Sequence, residues 1–276
     1  MKKLVLFATI LALNVQAADK KPEIVSEPDV VYGRVHGAGL LADIAYPKSD
    51  KPLPAVLSVH GGRWRGGHKK DRSTIVVDQW AGFGFFAMSI DYRLVGCSPA
   101  PACYQDFQCA IRFLHANAKK YNIDTKRIYL MGQSAGGHIV SLAGTLGQGP
   151  WRRTGGHEKA SNDFRAVISI AACYELPTLN WGAIWTPTGK DPLQERKLAS
   201  PVYHVKSDMK PIMIIHSDND RSVPIDNALL MVDALKKAKA KHVFHRYPTA
   251  GHMGITQEVI DRTLEFIKRV DAGEFD

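Results

Sequence analysis

A serine between two glycines is the strongest chemical signal in the chain, in the Gly-Gln-Ser-Ala-Gly sequence at residues 132–136. An apolar run at 128–131 precedes it, and a helical pattern follows at 135–146. Glycines on both sides leave room for the tight strand-to-helix turn that exposes a hydroxyl at the end of a strand. The helix N-terminus would favour negative charge that develops there. The pattern predicts that Ser134 is a nucleophile.

A serine hydroxyl is a weak nucleophile unless a base accepts its proton and an acid orients that base. Among the 11 histidines, His252 follows the last predicted strand, in the Ala-Gly-His-Met-Gly sequence at 250–254. His60 and His216 instead end buried strands, where we expect structural hydrogen bonds. His252 is therefore the predicted general base.

The acid is expected after the strand predicted at 212–215. Asp220 is preferred over Asp218, which lies close enough to the strand end to cap a turn. It is also preferred over Asp226, which should cap the next helix. Asp220 gives the chain order Ser, Asp, His, which is the α/β-hydrolase order.

Acyl transfer also needs backbone donors for the oxyanion of the tetrahedral intermediate. The His-Gly-Gly-Arg-Trp sequence at 60–64 follows a buried strand, and its glycines allow close backbone approach. The predicted donors are the N–H groups of Gly62, Arg63 and Ala135. An ordinary glycine turn is the alternative for this loop.

Arginine and tryptophan side chains near that loop suggest how a substrate is bound. Trp64 and Arg65 are adjacent to the loop, while Trp181 and Trp185 lie in an irregular segment at 174–200. With Arg63, they could receive an aromatic or anionic acyl group such as a hydroxycinnamate. The alternative that they are rim residues with no specific ligand stays open.

Short apolar runs that alternate with longer amphipathic ones predict a mostly parallel sheet flanked by helices. An antiparallel pair at 30–35 and 40–45 opens it. The other predicted strands are 55–60, 85–90, 128–131, 166–170, 212–215 and 242–247, and the predicted helices are 71–83, 103–121, 135–146, 225–239 and 256–270. Residues 174–200 are expected to form a modest cap insertion, or else a surface insertion packed for stability.

The N-terminus has the pattern of a secretory signal peptide at residues 1–17. Lys2 and Lys3 precede an apolar run at 4–15, which is too short to span a bilayer, and Ala17 provides a small-residue exit. A packed N-terminal helix is the alternative. We expect a single catalytic domain at 18–276, located in the periplasm or secreted, without stable membrane insertion.

Charge and cysteine content limit the other possibilities. Removal of residues 1–17 lowers the formal net charge from +9 to +7, but no nucleic-acid motif is present, and nucleic acid is not an expected partner. An exported chain with four cysteines can form disulfides. Cys97 with Cys103 is the first choice, which leaves Cys109 and Cys173 paired or as buried thiols. The spacing lacks a Cys-x-x-Cys element, so a zinc site is the weaker alternative.

Together these motifs resemble the α/β-hydrolase superfamily, most of all its small bacterial esterases of the acetyl-esterase, feruloyl-esterase-like and hormone-sensitive-lipase-like groups. The similarity covers about residues 40–265 and includes Asp-Tyr-Arg-Leu at 91–94 and Ala-Ser-Pro at 199–201. It implies the α/β-hydrolase fold and hydrolysis of a small-molecule or polysaccharide-linked ester, without a cofactor or metal.

One residue departs from the pattern of the resembled groups. Arg63 stands where hormone-sensitive-lipase-like enzymes usually have a third glycine. The His-Gly-Gly-x-Trp form is also similar to that of kynurenine formamidases, so amide cleavage by a formamidase or peptidase stays open. A noncatalytic binding protein with a hydrolase fold is the other alternative. The sequence does not predict the oligomeric state.

Overall fold

The computed structural model describes residues 22–185 and 191–276, and its centre is an eight-stranded sheet. The strands lie in the order β1-β2-β4-β3-β5-β6-β7-β8. They are β1 Ile24–Val35, β2 Ala38–Pro47, β3 Leu53–Val59, β4 Phe86–Ile90, β5 Ile123–Gln133, β6 Ala166–Ile170, β7 Ile212–Ser217 and β8 His242–Tyr247. The eight predicted strands are confirmed, with β1, β2, β5 and β7 longer than predicted.

The sheet is antiparallel at one end and parallel elsewhere. β2 pairs antiparallel with β1 and β4, whereas β4, β3, β5, β6, β7 and β8 run parallel. Every residue of β4, β6 and β7 is buried, as expected of strands covered on both faces. Val59 pairs with Gly132, and Gln133 pairs with Ile170, so the carboxyl ends of β3, β5 and β6 meet at one edge.

Helices cover both faces of the sheet. They are α1 Val77–Gly82, α2 Ala102–Ala116, α3 Ala118–Tyr121, α4 Ala135–Leu146, α5 Pro192–Leu198, α6 Ile225–Lys237 and α7 Gln257–Asp271. Side chains of α2, α4 and α6 share one apolar core, and side chains of α1 and α7 share the core on the opposite face. Neighbouring residues of β3 alternate between the two cores: Ala55 and Leu57 belong to the first, Val56 to the second.

Two predicted helices differ from the structure. The helix predicted at 71–83 is only α1, because the Thr74 hydroxyl donates to the carbonyls of Lys69 and Asp71 and holds that stretch in turns. The helix predicted at 103–121 divides into α2 and α3 at Asn117, whose side chain donates to the Phe113 carbonyl at 2.9 Å. In both cases a short polar side chain competes with the helical hydrogen bonds.

The irregular segment 174–200, which we call the cap segment, has little regular structure in its described parts, 174–185 and 191–200. These parts hold a 3₁₀ turn, Gly182–Ile184, and α5, whose first N–H groups donate to the Asp191 carboxylate. Residues 186–190 lie outside the described residues. Trp181 and Trp185 of this segment pack on Trp64, at ring-centroid distances of 5.8 and 5.2 Å. The cap segment is thereby attached to the loop that follows β3.

The first-choice disulfide is wrong. Cys97 and Cys103 are both free thiols, because Cys103 lies inside α2 and is buried in the core while Cys97 is exposed on the preceding loop. Cys109 and Cys173 are also free and buried, which was the second of the two options for them.

Neither a membrane-spanning helix nor a metal-ligating cluster occurs in the part of the chain that the structure describes. None of the described helices is long and apolar enough to cross a membrane. No group of three metal-ligating side chains was found among residues 22–185 and 191–276. The predicted signal peptide at 1–17 lies outside the described residues.

Candidate active site

Ser134 occupies a strained turn between β5 and α4. Its backbone has φ 56° and ψ −119°, a conformation that non-glycine residues rarely adopt and that is retained where the surroundings impose it. A Cβ at Gly132 would lie 2.3 Å from the Gly136 carbonyl oxygen, and one at Gly136 would lie 2.1 Å from that of Val59. Both glycines are therefore required by the close approach of backbone segments, as the sequence pattern predicted.

His252 and Asp220 form a hydrogen-bonded pair at the same sheet edge. The distance from His252 Nδ1 to Asp220 Oδ2 is 2.7 Å. Because the carboxylate accepts a hydrogen bond from Nδ1–H, Nε2 of the neutral ring is left with its lone pair available. The Asp220 side chain is fully buried, while that of His252 is 27% exposed. The arrangement leaves His252 accessible to substrate and holds its acid partner away from water.

The environment of Asp220 keeps it ionised. Burial favours the protonated form, but the hydrogen bond from His252 and those from the Val223 and Ser222 backbone N–H groups outweigh it. The pKa of Asp220 therefore lies below its usual value. A negative charge is thus available at neutral pH to stabilise a protonated His252.

A second histidine contacts the same carboxylate. His216 Nε2 donates to the Val223 carbonyl at 2.9 Å and lies 3.6 Å from Asp220 Oδ2. Burial lowers the pKa of His216, so the ring stays neutral and does not cancel the charge of Asp220. His60 similarly uses Nδ1 to donate to the Gly61 carbonyl at 2.7 Å and stacks on Tyr92. The prediction that His60 and His216 make structural hydrogen bonds is confirmed.

The two rejected aspartates have other partners. Asp218 Oδ1 accepts from Arg246 Nε of β8 at 2.6 Å, so it joins two strands rather than capping a turn. Asp226 lies in the first turn of α6 but makes no side-chain capping bond, and Pro224 occupies the N-cap position. The expectation that Asp226 caps this helix is wrong.

Ser134 and His252 line one cavity of about 650 Å³. Among the side-chain hydrogen bonds of the described residues, none joins the Ser134 hydroxyl to His252. Such bonds are often long without substrate and tighten when it binds. Gln133, next to Ser134, donates from Nε2 to the Met253 carbonyl at 2.8 Å. The nucleophile turn and the histidine loop are therefore connected through the residues adjacent to Ser134 and His252.

Two of the three predicted oxyanion donors, Gly62 and Arg63, line the same cavity, and the third, Ala135, directly follows Ser134. Gly62 has φ +102°, and its carbonyl accepts from Arg65 and Gly66 at 3.1 Å, which closes a tight turn. Within residues 22–185 and 191–276, no acceptor takes the N–H groups of Gly62, Arg63 or Ala135. Free backbone donors on loops that meet at the cavity of the nucleophile are what an oxyanion site requires.

The predicted substrate contacts divide into two groups. Arg63, Arg65 and Trp181 line the cavity, and the Arg63 guanidinium lies 5.1 Å above the Trp181 ring. Trp64 is 0% exposed and Trp185 1% exposed, and neither lines the cavity. The expectation that Trp64 and Trp185 form a substrate surface is therefore wrong.

Trp64 and Trp185 instead form an aromatic cluster with His138, behind the cavity wall. The His138 ring lies 5.1 Å from Trp64 and 5.0 Å from Trp185, and its Nε2 donates to the Ala199 carbonyl at 2.6 Å. Large apolar side chains in a loop are buried when the loop has to be anchored, and here the cluster joins α4 to the cap segment. The sequence could not distinguish this role from substrate stacking.

Sequence reasoning missed several residues of the site. Arg72, Ser73 and Thr256 line the cavity, and Gln133 contributes the contact to the histidine loop. Arg72 was assigned to a helix and so was not considered. The adjacency of Gln133 to the nucleophile was a signal that could have identified it.

A strained serine turn at the centre of a mostly parallel sheet places the chain among the α/β-hydrolases, the fold that the sequence predicted. Residues 42–235 match the BD-FAE family model, and the chain belongs to the BD-FAE family.

Solved structures with this fold include two that are more than a quarter identical in sequence. A truncated form of a carbohydrate esterase from gut microbiota is 27% identical, with a TM-score of 0.78 over 92% of this chain and 99% of that chain. An acetyl ester-xyloside bifunctional hydrolase from Caldicellulosiruptor lactoaceticus is 28% identical, with a TM-score of 0.71 over 85% and 89% of the two chains.

Among curated relatives, the probable carboxylic ester hydrolase LipM of Mycobacterium tuberculosis is 28% identical over 239 residues. The match covers 81% of this chain and 55% of LipM. The chain spans about half the length of the curated relatives it matches.

Proposed function

We propose that the protein is a serine hydrolase that cleaves carboxylic esters through an acyl-enzyme. The main support is the 2.7 Å bond between His252 and the buried Asp220, at the same cavity as Ser134. An orienting acid, a base with a free nitrogen and a hydroxyl on a strained turn are the three groups that acyl transfer requires. Esterase relatives over most of this chain support the same reaction.

In the first half of the reaction, the Ser134 oxygen attacks the ester carbonyl while His252 Nε2 accepts the hydroxyl proton. Asp220 stabilises the imidazolium that forms. The oxyanion is held by the free N–H groups of Gly62, Arg63 and Ala135, and each such donor typically contributes about 3 kcal/mol to the barrier reduction. When the carbon–oxygen ester bond breaks, His252 returns the proton to the leaving alcohol, and the acyl group remains on Ser134.

In the second half, a water molecule attacks the acyl carbonyl. His252 now takes a proton from that water and returns it to Ser134 as the acid is released. The partly exposed position of His252 beside an open cavity gives water access to its Nε2.

The proposed substrates are small acyl esters carried on carbohydrate. The similar solved proteins are named a carbohydrate esterase and an acetyl ester-xyloside hydrolase, and the cavity has room for more than an acetyl group. Trp181 provides one aromatic ring in the cavity wall, which supports feruloyl-type acyl groups as additional substrates.

We also propose that residues 1–17 are removed as a signal peptide and that the enzyme acts in the periplasm or the medium. The support is the sequence pattern alone: Lys2 and Lys3, the apolar run and Ala17. N-terminal sequencing of the protein isolated from the periplasm or culture medium of its native cells should give a chain that starts after Ala17. A chain that retains Met1 in the cytoplasm would contradict this proposal.

The test of catalysis uses the Ser134→Ala variant with Ser98→Ala as its control, since Ser98 lies outside the cavity. Ser134→Ala should abolish hydrolysis of p-nitrophenyl acetate and labelling by a fluorophosphonate probe, with an unchanged circular dichroism spectrum. Ser98→Ala should retain both. Turnover by the folded Ser134→Ala variant would overturn the assignment.

A matched ester and amide of the same acyl group tests which bond is cleaved. We expect a higher kcat/KM for the ester. Faster cleavage of the amide would identify a formamidase or peptidase that uses the same residues.

A further inference from the structure

Arginines extend along two adjoining cavities beside Ser134. Arg63, Arg65 and Arg72 line the first cavity, and Arg63 and Arg221 line a second one of about 570 Å³. Trp181 lines both, so the pair formed by Arg63 and Trp181 separates the two spaces. The cationic lining therefore continues beyond the space that one small acyl group needs.

These four guanidinium groups make no hydrogen bond or ion pair with a described residue. Of the 15 arginines in the chain, six make no side-chain hydrogen bond or ion pair with any described residue. Four of those six line the two cavities, and the other two are Arg34 and Arg152. The other nine arginines make such contacts, as Arg93 does with Asp106 at 2.7 Å. Most of the arginines without a described hydrogen bond or ion pair therefore lie at the two cavities.

The basic residues that line the two cavities are arginines. The chain has 21 lysines and 15 arginines, yet no lysine is among the described residues that line either cavity. Arginine presents a planar fork of donors that matches a carboxylate, whereas lysine acts as a point charge. A general excess of basic residues on the surface would have placed lysines here as well.

Little negative charge opposes the arginines. Asp71 is the one acidic residue in the described lining of the first cavity, and the described lining of the second contains none. A concave surface lined by positive charges focuses a positive potential and attracts anions. The ligand that suits both cavities is extended and carries negative groups.

We propose that the natural substrate is an ester of an anionic saccharide, whose sugar carboxylates bind Arg65, Arg72 and Arg221 while the acyl group reacts at Ser134. This inference rests on the proposed esterase function and specifies the alcohol side of its substrate. The arginines are assigned to the alcohol side because they span both cavities, which a short acyl group at Ser134 cannot do.

The experiment compares acetylated galacturonide oligosaccharides with acetylated xylo-oligosaccharides of the same length, by acetate release. The ratio of kcat/KM for the anionic to the neutral substrate should exceed 1. It should fall as sodium chloride rises, because added salt screens exposed charges. A second pair, p-nitrophenyl hemisuccinate and p-nitrophenyl acetate, places the charge on the acyl side, and no preference for the hemisuccinate is expected.

Variants test the individual arginines. Exposed ion pairs change binding by up to about fivefold each, so Arg72→Gln and Arg221→Gln should each lower the ratio by about threefold, and the double variant by about tenfold. Arg72→Lys keeps the charge and should recover part of the loss. Arg152→Gln removes an unpaired, exposed arginine outside both cavities and should leave the ratio unchanged.

Three results would overturn the proposal. They are equal kcat/KM for the anionic and neutral saccharides, a ratio that Arg72→Gln and Arg221→Gln do not change, and a preference for the hemisuccinate alone. In each of these the enzyme still hydrolyses neutral esters, so the proposed function stands. No hydrolysis of any ester would instead overturn the proposed function together with this inference.

Discussion

Burial of His138 makes a specific prediction for acid stability. The ring is fully buried between Trp64 and Trp185, its Nε2 donates to the Ala199 carbonyl, and its Nδ1 has no partner among the described residues. A proton on Nδ1 would be a buried donor without an acceptor. Burial accordingly lowers the pKa of His138 from 6.5 to about 4.

The sign of the effect follows from proton binding. Between pH 6.5 and about pH 4 the unfolded chain binds a proton at His138 and the native protein does not, so the free energy of unfolding decreases as the pH falls through this window. At 1.36 kcal/mol per pKa unit, the difference amounts to about 3 kcal/mol. Above pH 6.5 the ring is neutral in both states and contributes no pH dependence.

The perturbation is His138→Gln, which can still donate to Ala199 but does not titrate. Urea unfolding is measured at pH 7.0, 5.5 and 4.5 for both proteins. The wild type should lose more stability than the variant on acidification, with the gap approaching about 3 kcal/mol near pH 4. His36→Asn, at an exposed position between β1 and β2, is the control and should follow the wild type.

The comparison isolates one residue, because other buried histidines such as His60 and His216 titrate in both proteins. Parallel profiles for the wild type and His138→Gln would refute the reasoning. They would mean that the native state accommodates a charged ring at position 138.

Two further predictions concern the catalytic groups and the turn that holds Ser134. Asp220→Asn should keep the fold but lower kcat/KM by about 10⁴-fold, because an amide facing Nδ1 favours the wrong tautomer of His252; a loss below tenfold in steady-state kinetics would contradict this role. Gly136→Ala should prevent stable folding or lower the melting temperature strongly, since its Cβ would lie 2.1 Å from the Val59 carbonyl oxygen. The control is Gly82→Ala, whose Cβ meets nothing within 4 Å and which should be neutral or slightly stabilising. Equal melting temperatures for the two alanine variants would disprove the steric argument.

The sequence predicted the strands and the nucleophile turn well because local patterns determine them. β4 and β6 are short apolar runs that lie buried on both faces, and α4 begins directly after Ser134, as the glycine pattern required. The pairing of His252 with Asp220 could be predicted from chain order, since parallel strands bring their following loops to one edge.

Long-range packing could not be predicted in the same way. Tryptophan is a residue type that often contacts ligands, but the burial of Trp64 depends on Trp185 and His138, which are distant in the sequence. The predicted disulfide between Cys97 and Cys103 rested on their spacing in the sequence. In the structure, Cys103 belongs to the buried apolar face of α2. Arg72 went unnoticed because Thr74 holds that stretch in turns instead of a helix.

The buried ring of Trp64 has a consequence for how this protein could diversify. Arg63 and Trp64 have φ values of 51° and 58°, so the loop needs an anchor, and the Trp64 side chain supplies it from the core. The backbone N–H groups at 62 and 63, which are the proposed oxyanion donors, are thus held independently of the side chain at 63, which lines the cavity. A substitution at position 63 would change the cavity lining during evolution while these N–H groups stay in place.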